Sequence, residues 1–262
     1  MAVMIDLNAD VGESFGAYRM GDEALFELLT SANIACGFHA GDPVTMEQTI
    51  SKCIHHGISV GAHPGFNDLQ GFGRRPVTMS ITEVRTDVLY QIGALQAFVT
   101  AQGGTLSHVT PHGSLGNLAV VDEVYARGIV EAVLAFDPIL PVVTQQGSLA
   151  RIASAEGLPV AITAMADRAY NADGSLVSRQ SPQAMVTDTR AVIDRVLSMV
   201  IDKKVQAIDG SILDIDATTV LLHGDTDEAV TLAAAIRSAL ITEGVTLAPL
   251  PEVLAAKKLR YA

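Results

Sequence analysis

The sequence has few of the features that mark nucleic-acid-binding or disulfide-rich proteins. Its 262 residues include 17 lysines and arginines against 29 acidic residues, which gives a formal net charge of −12. No basic cluster is larger than two residues. Because a basic face is the electrostatic footprint of nucleic-acid binding, the composition excludes that class of partner. The two cysteines, Cys36 and Cys53, are too few for a disulfide framework and fit a reducing compartment.

Long apolar runs are also missing. No stretch approaches the roughly 18 uncharged apolar residues that a membrane helix requires. The first residues, MAVMIDLNAD, lack the basic segment and apolar run of a signal peptide. We therefore expect a cytoplasmic protein with no membrane partner. Apolar residues nevertheless make up 49% of the chain, which predicts extensive burial or an apolar surface for a partner, and leaves self-association open.

The sequence lacks several short motifs that are typical of nucleotide-binding and metal-binding sites. The sequence has no GxxxxGK[ST] phosphate loop and no GxGxxG segment after its first predicted strand. If the protein uses a nucleotide, its sequence does not show where the nucleotide binds. The HxH and HExxH spacings of local metal sites are missing too, so any metal ligands must come together through the fold.

What the sequence does contain is a repeated unit of a short apolar run, a glycine-rich loop and an amphipathic helix. Short apolar runs without polar alternation are typical of strands buried on both faces. Strands that alternate with helices imply right-handed crossovers and a parallel sheet, and seven such units favour a closed β/α barrel. The predicted strands are Val3–Leu7, Ser31–Cys36, Ile58–Ala62, Leu106–Val109, Ile139–Val143, Pro159–Thr163 and Thr218–Leu222.

The segments between the strands carry helix and turn signals. Asp42 before a proline predicts the start of a helix. Residues 204–215 depart from the repeated unit, because Asp209 and Gly210 lie between two apolar runs and predict a β-hairpin inserted before the last strand. No polar linker or shift in composition interrupts the chain, so residues 1–262 are interpreted as a single domain.

Polar side chains concentrate where the predicted strands end. The carboxyl ends of the strands form the working face of a parallel barrel, so these residues are candidates for one site. Four of the seven histidines lie there beside glycine or proline, which let the backbone turn sharply and a ligand approach. The candidates are Asp6, Asn8, Asp10, Glu13, His39, His63, His112, Asn117, Asp167, Arg168, His223 and Asp225.

Two chemistries fit these candidates, and residue spacing does not separate them. The neutral imidazoles of His39, His63 and His112, with Asp6 or Asp10, could hold a divalent metal that activates water. The same groups could instead perform metal-free general acid–base catalysis.

Other candidates also have two interpretations. Asp6 and Asn8 are expected on the same side of a strand, whereas Asp10 is expected past the strand end. Arg168 could clamp a carboxylate or phosphate, or form a solvated ion pair with Asp167.

Two further features suggest chemistry. Arg74 and Arg75 lie on a long loop after the third strand, where a lid would be. Cys36 could be a nucleophile, although no local feature of the sequence favours its thiolate.

Taken together, seven segments of the chain resemble the LamB/YcsF family. They are DLNADVGESFGAYRMGDE, SANIACGFHAGDP, GAHPGFNDLQGFGRR, YQIGAL, PHGSLGN, ADRAYNADGSLVSR and HGD. The resemblance as a whole extends from about residue 5 to residue 243. The resemblance implies a distorted seven-stranded β/α barrel of the glycoside hydrolase/deacetylase type. It also implies a subunit of an ATP-dependent 5-oxoprolinase, which opens the lactam 5-oxoproline to glutamate together with partner subunits B and C.

The same resemblance implies roles for the candidate residues, which occupy the family's motif positions. ATP, with Mg, would act at the level of the complex and activate the amide carbonyl, while residues at the barrel mouth position or activate water. Catalytic roles are expected for Asp6, Asp10, His39, His63 and His112. Binding roles are expected for Asn8, Glu13, Asn117, Asp167, Arg168, His223 and Asp225, and the metal candidates are Asp6, His39, His63 and His112.

Three positions depart from the residues usual in that family. Thr110 replaces a lysine, Gly116 a tyrosine and Thr163 a glutamate. The joint loss of the lysine and the glutamate is consistent with an altered substrate or a lost activity. Two alternatives to the lactam hydrolase therefore stay open. One is a stand-alone metal-dependent, deacetylase-like hydrolase of the same fold, and the other is a non-catalytic member that binds a small acid or scaffolds a complex.

Overall fold

Short strands and longer helices alternate along the chain, as the repeated sequence unit predicts. The computed structural model describes residues 3–21, 23–222 and 229–261. The strands of these residues are β1 (Met4–Val11), β2 (Ser31–Ala35), β3 (Ser59–His63), β4 (Leu106–Val109), β5 (Val142–Thr144), β6 (Val160–Met165), β7 (Lys204–Gln206), β8 (Ile212–Asp214), β9 (Thr219–Leu222) and β10 (Thr246–Leu247). The helices are α1 (Pro43–His56), α2 (Ile81–Ala101), α3 (Gly113–Val121), α4 (Glu123–Phe136), α5 (Ser148–Ala155), α6 (Thr189–Leu197), α7 (Ala229–Thr242) and α8 (Leu250–Tyr261).

Seven parallel strands close into a barrel, which confirms the predicted fold class. They follow the order β1 to β6 and then β9, and β9 closes the ring because Thr219 pairs with Thr163 on one side and Asp6 on the other. The ring is distorted where β4 and β5 share a single register pair, Val109 with Val142. The short β10 pairs in parallel with the outer end of β1.

The first strand is longer than the sequence predicts. Its pairing with β2 continues through Asp10 opposite Asn33, so β1 ends at Val11 and not at Leu7. The expectation that Asp10 lies past the strand end was therefore wrong. Polar residues usually end an apolar run, but the inside of this barrel accepts polar side chains at alternate positions of β1.

Local signals in the sequence are confirmed at two places. Asp42 caps α1, where its carboxylate accepts a hydrogen bond from the backbone N–H of Thr45 at 2.8 Å. The strands β7 and β8 form the predicted antiparallel hairpin before β9, and Gly210 in its turn has a positive φ of 89°. Within the residues that the structure describes, no helix combines the length and apolar character needed to cross a membrane.

The apolar core lies between the barrel and its helices. Leu7 and Ala9 of β1 are fully buried in the same apolar cluster as Ile92 and Leu95 of α2. The interior of the barrel is polar instead, although branched apolar residues usually fill this place. Buried polar groups are costly unless they are hydrogen-bonded, so these side chains must satisfy one another. The fully buried polar residues include Asp6, Asn8, Asn33, His108 and Thr219.

Gly61 in β3 leaves room for the ring of His108, and this generates a stability prediction. A methyl group at Gly61 would lie 2.1 Å from Nε2 of His108. We expect Gly61→Ala to lower the free energy of unfolding by roughly 1–3 kcal/mol, as overpacked cores do. Urea denaturation measures this change.

The control is Gly93→Ala in an exposed part of α2, where an added methyl group meets nothing within 4 Å. Alanine is the better helix former, so this variant should be as stable as the parent or more stable by up to about 1 kcal/mol. Equal effects of the two substitutions would show that the ring of His108 has space to move.

Candidate active site

A cavity of about 540 Å³ opens at the carboxyl ends of the barrel strands. Its volume lies within the range of small-molecule sites, and its position is the working face of a parallel barrel. Residues at or just beyond the ends of five strands contribute to its wall, namely Asp10, His63, Thr110, Thr144 and Met165.

Half of the predicted site residues line this cavity. They are Asp10, Glu13, His63, His112, Asn117 and Arg168. Four of the others are buried and do not line the cavity: His39 lies beside His63 and His112, Asp6 and Asn8 lie deeper in the barrel, and Asp167 is also buried. His223 and Asp225 lie outside the described residues.

His63 and His112 meet in the wall of the cavity, with Nε2 of His63 only 2.9 Å from Nδ1 of His112. The other nitrogen of each ring donates to a backbone carbonyl: His63 Nδ1 to Thr110 at 2.6 Å and His112 Nε2 to Phe72 at 2.8 Å. Because a carbonyl can only accept, the single proton of each neutral ring belongs to that outer nitrogen. Two neutral rings would then face each other with lone pairs, so this contact requires a positive charge between them.

Asp10 and Glu13 bring negative charge to the histidines. Asp10 Oδ1 lies 3.4 Å from His63 Nε2, and Glu13 Oε1 lies 3.4 Å from His39 Nε2 and 3.7 Å from His112 Nδ1. Burial by itself would lower the pKa of His63, but the charges of both carboxylates and hydrogen bonding outweigh it, and the pKa is raised. Burial, followed by the neighbouring histidine charges, holds the pKa of His39 and of His112 well below the ordinary value. In the absence of a metal ion, the two carboxylates therefore favour a positive charge on His63 over one on His112.

His39 packs behind this pair. Its ring is stacked on His112, with centroids 3.7 Å apart and planes 3° from parallel, and it is fully buried. Gly65 and Gly73 admit the ring, because a Cβ at Gly65 would lie 2.6 Å from His39 Nδ1 and one at Gly73 would lie 2.7 Å from His39 Cβ. His39, although a candidate for the site, does not line the cavity. At these two positions the glycines make room for an imidazole ring.

The long loop after β3 forms part of the cavity wall. Phe72 adopts a left-handed conformation with φ of 54°, and its ring contacts His112 edge-on at a centroid distance of 5.3 Å. The guanidinium of Arg74 lies 4.8 Å from the centre of the Phe72 ring, and Arg74 lines the cavity. Ser114 ties the loop to α3 by donating its hydroxyl to the carbonyl of Arg74 at 2.9 Å. The segment predicted as a lid is thus anchored against the site.

Arg168 is buried and is not part of a solvated surface pair. Two of its five N–H donors bind the loop that follows β6, at the carbonyls of Val177 (2.7 Å) and Ala184 (3.3 Å). Burial lowers its pKa to about 10, which still leaves the group charged at neutral pH. Arg74 and Arg179 line the same cavity, so three guanidinium-bearing residues share it with the histidines.

A residue that the sequence did not single out holds Asp10 in place. Asn33 Nδ2 donates to Asp10 at 2.9 Å and to Asn8 at 3.1 Å, and its Oδ1 accepts from His108 Nε2 at 2.8 Å and from the Thr110 hydroxyl at 2.9 Å. These four hydrogen bonds fix the orientation of the amide. Asn33 and His108 are each a polar residue inside an otherwise apolar predicted strand. This feature of the sequence could have identified them as part of the polar interior.

Asp6 lies at the inner end of this polar interior. One carboxylate oxygen accepts from the hydroxyls of Thr30 at 2.7 Å and Ser31 at 2.6 Å, and the other contacts the Thr219 hydroxyl and Asn8. Burial raises the pKa of Asp6 although these hydrogen bonds oppose the shift. Asp6 does not line the cavity and is not part of the cluster formed by Glu13 and the three histidines, so its catalytic or metal-binding role stays a prediction.

The three departures from the usual family residues all line the cavity. The hydroxyl of Thr110 is used by Asn33, whereas that of Thr163 is buried and has no hydrogen-bond partner among the described residues. A Cβ at Gly116 would lie 2.6 Å from the carbonyl oxygen of Pro111, so this backbone has no room for a side chain there. These three positions therefore contribute directly to the shape and polarity of the cavity.

Cys36 does not fit the role of a nucleophile. It is buried, and its sulfur lies 3.3 Å from the carbonyl of Ile34. Burial raises the pKa of this thiol to about 12, so the reactive thiolate is not formed near neutral pH.

The central place of Asn33 generates a prediction. Asn33→Asp keeps the shape of the side chain but replaces the donor that faces Asp10 with a second carboxyl oxygen. We expect the free energy of unfolding to fall by roughly 1–3 kcal/mol or more at pH 8, because a buried bond is lost and two carboxylates meet. Contact between them raises the folded-state pKa of one, so the penalty is present above that pKa and shrinks as the pH falls below it.

Urea denaturation at pH 8 and pH 5 measures this change. The control is Asn67→Asp on the exposed loop after β3, which should have a small effect at both pH values. A loss of stability that is the same at both pH values would contradict the assignment.

Comparison with known proteins identifies the family of the chain. Residues 5–255 match the model of the LamB/YcsF family. The chain is 50% identical over 244 residues to the A subunit of 5-oxoprolinase from Geobacillus thermodenitrificans, which covers 93% of this chain and 95% of that protein. It is 46% identical over 252 residues to the corresponding 5-oxoprolinase polypeptide of Pyrococcus horikoshii, which covers 95% and 99%.

Solved structures show the same relationship. The lactam utilization protein from Thermus thermophilus superposes with a TM-score of 0.88 at 45% identity, over 94% of this chain and 99% of that one. A peptidoglycan deacetylase, PdaC from Bacillus subtilis, shares the fold with a TM-score of 0.52 at 15% identity, over 100% of this chain and 94% of that one. The chain therefore belongs to the LamB/YcsF family.

Proposed function

We propose that this chain is the lactam-binding subunit of an ATP-dependent 5-oxoprolinase and acts with partner subunits B and C. The relatives from Geobacillus and Pyrococcus, each named as one subunit of 5-oxoprolinase, are similar over nearly their whole length. That name supports a protein built from several different subunits. The lactam utilization protein of the same fold supports a lactam as substrate.

The single observation that carries the proposal is the pairing of two kinds of groups in one cavity. Asp10, Glu13 and the His63–His112 pair provide proton-transfer groups, and Arg168 provides a buried positive charge. 5-Oxoproline is a small lactam ring that bears a carboxylate. A guanidinium group binds a carboxylate through two parallel hydrogen bonds, and this would orient the ring.

The chemistry requires water to add to the amide carbonyl carbon, the C–N bond to break and the ring nitrogen to gain a proton. ATP, held with Mg at the level of the complex, would supply activation of the carbonyl by phosphorylation of its oxygen. The residues of this chain bind the carboxylate, orient the ring and move protons. Asp10, His63, His112 and Glu13 form a chain of hydrogen-bond and ion-pair contacts in that order, and they are suited to that task.

The direct test is an assay of glutamate release. The purified chain with subunits B and C and Mg-ATP should convert 5-oxoproline to glutamate, and omission of any component should stop the reaction. 2-Pyrrolidinone has the same ring without the carboxylate, so kcat/KM for its opening should be at least about tenfold lower, as expected for a lost charge-assisted hydrogen bond. A complete complex that releases no glutamate, or that opens both lactams equally well, would contradict the proposal.

Arg168→Lys tests the recognition of the carboxylate. Lysine keeps the charge but loses the planar fork, so KM for 5-oxoproline should rise about tenfold with a smaller change in kcat. The matched control is Arg75→Lys, since Arg75 pairs with Asp68 on the loop after β3 but does not line the cavity. Melting curves check that the loop held by Arg168 is intact. An unchanged KM would show that Arg168 only holds this loop and does not bind the carboxylate of the substrate.

The likeness to deacetylases supports the barrel fold alone, because the identity is only 15%. Hydrolysis of acetylated substrates by the chain without partners or ATP would favour that alternative function instead.

A further inference from the structure

We propose that the barrel mouth is a binding site for one divalent metal ion, with Glu13, His63 and His112 as its protein ligands and Asp10 within reach. The site goes beyond the proposed function, since its donor atoms are in place whatever the substrate is. An ion there would supply a Lewis acid at the wall of the cavity.

The donor atoms converge on one point. One ligand atom from each of Glu13, His39, His63 and His112 lies within 4.8 Å of all the others. The inner nitrogens, His63 Nε2 and His112 Nδ1, are 2.9 Å apart. Two nitrogens that bind one zinc ion tetrahedrally at about 2.0–2.1 Å are separated by roughly 3.3 Å, so the pair needs to open by only a few tenths of an ångström to hold the ion. Two histidines and one glutamate form a known donor set of catalytic zinc sites that keep an open position.

The outer hydrogen bonds favour the same interpretation. His63 and His112 each donate the outer N–H to a backbone carbonyl, which fixes the ring and leaves the inner lone pair free to bind a cation. Metal-binding histidines are held in this way in most sites. The contact between the two inner nitrogens needs a positive charge, and a divalent ion can take the place of the proton.

His39 is assigned a supporting position. A nitrogen lone pair lies in the plane of its ring, so two parallel rings 3.7 Å apart cannot both direct lone pairs at one ion. His39 is fully buried, and among the described residues neither ring nitrogen has a hydrogen-bond partner. Its Nε2 lies 3.4 Å from Glu13 Oε1, so the ring packs beside the carboxylate that is the proposed ligand.

The cavity reaches the three proposed ligands from one side. Glu13, His63 and His112 all line it, together with Asp10, whereas His39 does not. A bound ion would therefore have protein donors on one side and space for water or a substrate oxygen on the other. The set combines imidazole and carboxylate donors, which suits Zn²⁺ and Mn²⁺ and is unlike the all-oxygen sites of Ca²⁺.

The test is calorimetric titration of the full chain with Zn²⁺ after treatment with a chelator. We expect one ion per chain. His63→Gln and His112→Asn, which replace each donor nitrogen with an amide group, should each weaken Zn²⁺ binding by at least about 100-fold. Titration with Co²⁺ adds a second readout, because its visible absorption bands report nitrogen and oxygen ligands and should be lost in the same variants.

The control is His55→Gln at the exposed end of α1, where His55 lies beside His56 and offers a chance surface site. This variant should bind Zn²⁺ like the parent. Glu13→Gln is the second line of evidence if an imidazole variant fails to fold, as judged by its melting curve. Binding that is unchanged in Glu13→Gln and in the folded histidine variants, or lost only in His55→Gln, would overturn the proposal.

The titration uses no lactam, ATP or partner subunit. Failure of the complex to release glutamate would thus leave the metal site standing. A chain that binds no ion would overturn the metal site but not the lactam hydrolase, and a proton would then lie between His63 and His112.

Discussion

The need to satisfy buried polar groups inside the barrel governs the rest of the structure. Asn33 uses all four hydrogen-bonding positions of its amide to connect β1 with β4, through Asn8 and Asp10 on one side and His108 and Thr110 on the other. A side chain bound in this way cannot rotate without leaving a buried donor or acceptor unpaired, which costs more than the bond itself contributes. The interior therefore supports Asp10 in one orientation below the cavity.

The same constraint decides the charge of the site above it. His63 and His112 each donate the N–H of one ring nitrogen to a backbone carbonyl. The two nitrogens that face each other would otherwise both present lone pairs, so a proton or another cation must lie between them. Asp10 and Glu13 lie within 3.4 Å and 3.7 Å of these nitrogens and favour that positive charge. Backbone hydrogen bonds thus set the proton arrangement of side chains that contact the cavity.

Much of the fold could be predicted because each strand and helix carries its own signal. The apolar runs located the seven barrel strands, and Asp42 and the 204–215 hairpin followed local capping and turn rules. The error at β1 had a physical cause: Asp10 looked like a loop residue because a buried strand rarely tolerates alternating polar groups. In this barrel those groups face hydrogen-bond partners on other strands, which no local pattern reveals.

The sequence by itself determined the class of fold, the family and the set of polar residues from which a site could be built. Only the tertiary structure decided which of them meet: Glu13 joins His63 and His112, Asp6 binds hydroxyl groups deeper in the barrel, and His39 stacks behind the pair. The reason is that spacing along a chain fixes the face of a strand. Contacts between side chains from different strands depend on register, on close approach at glycines and on which polar groups remain to be satisfied.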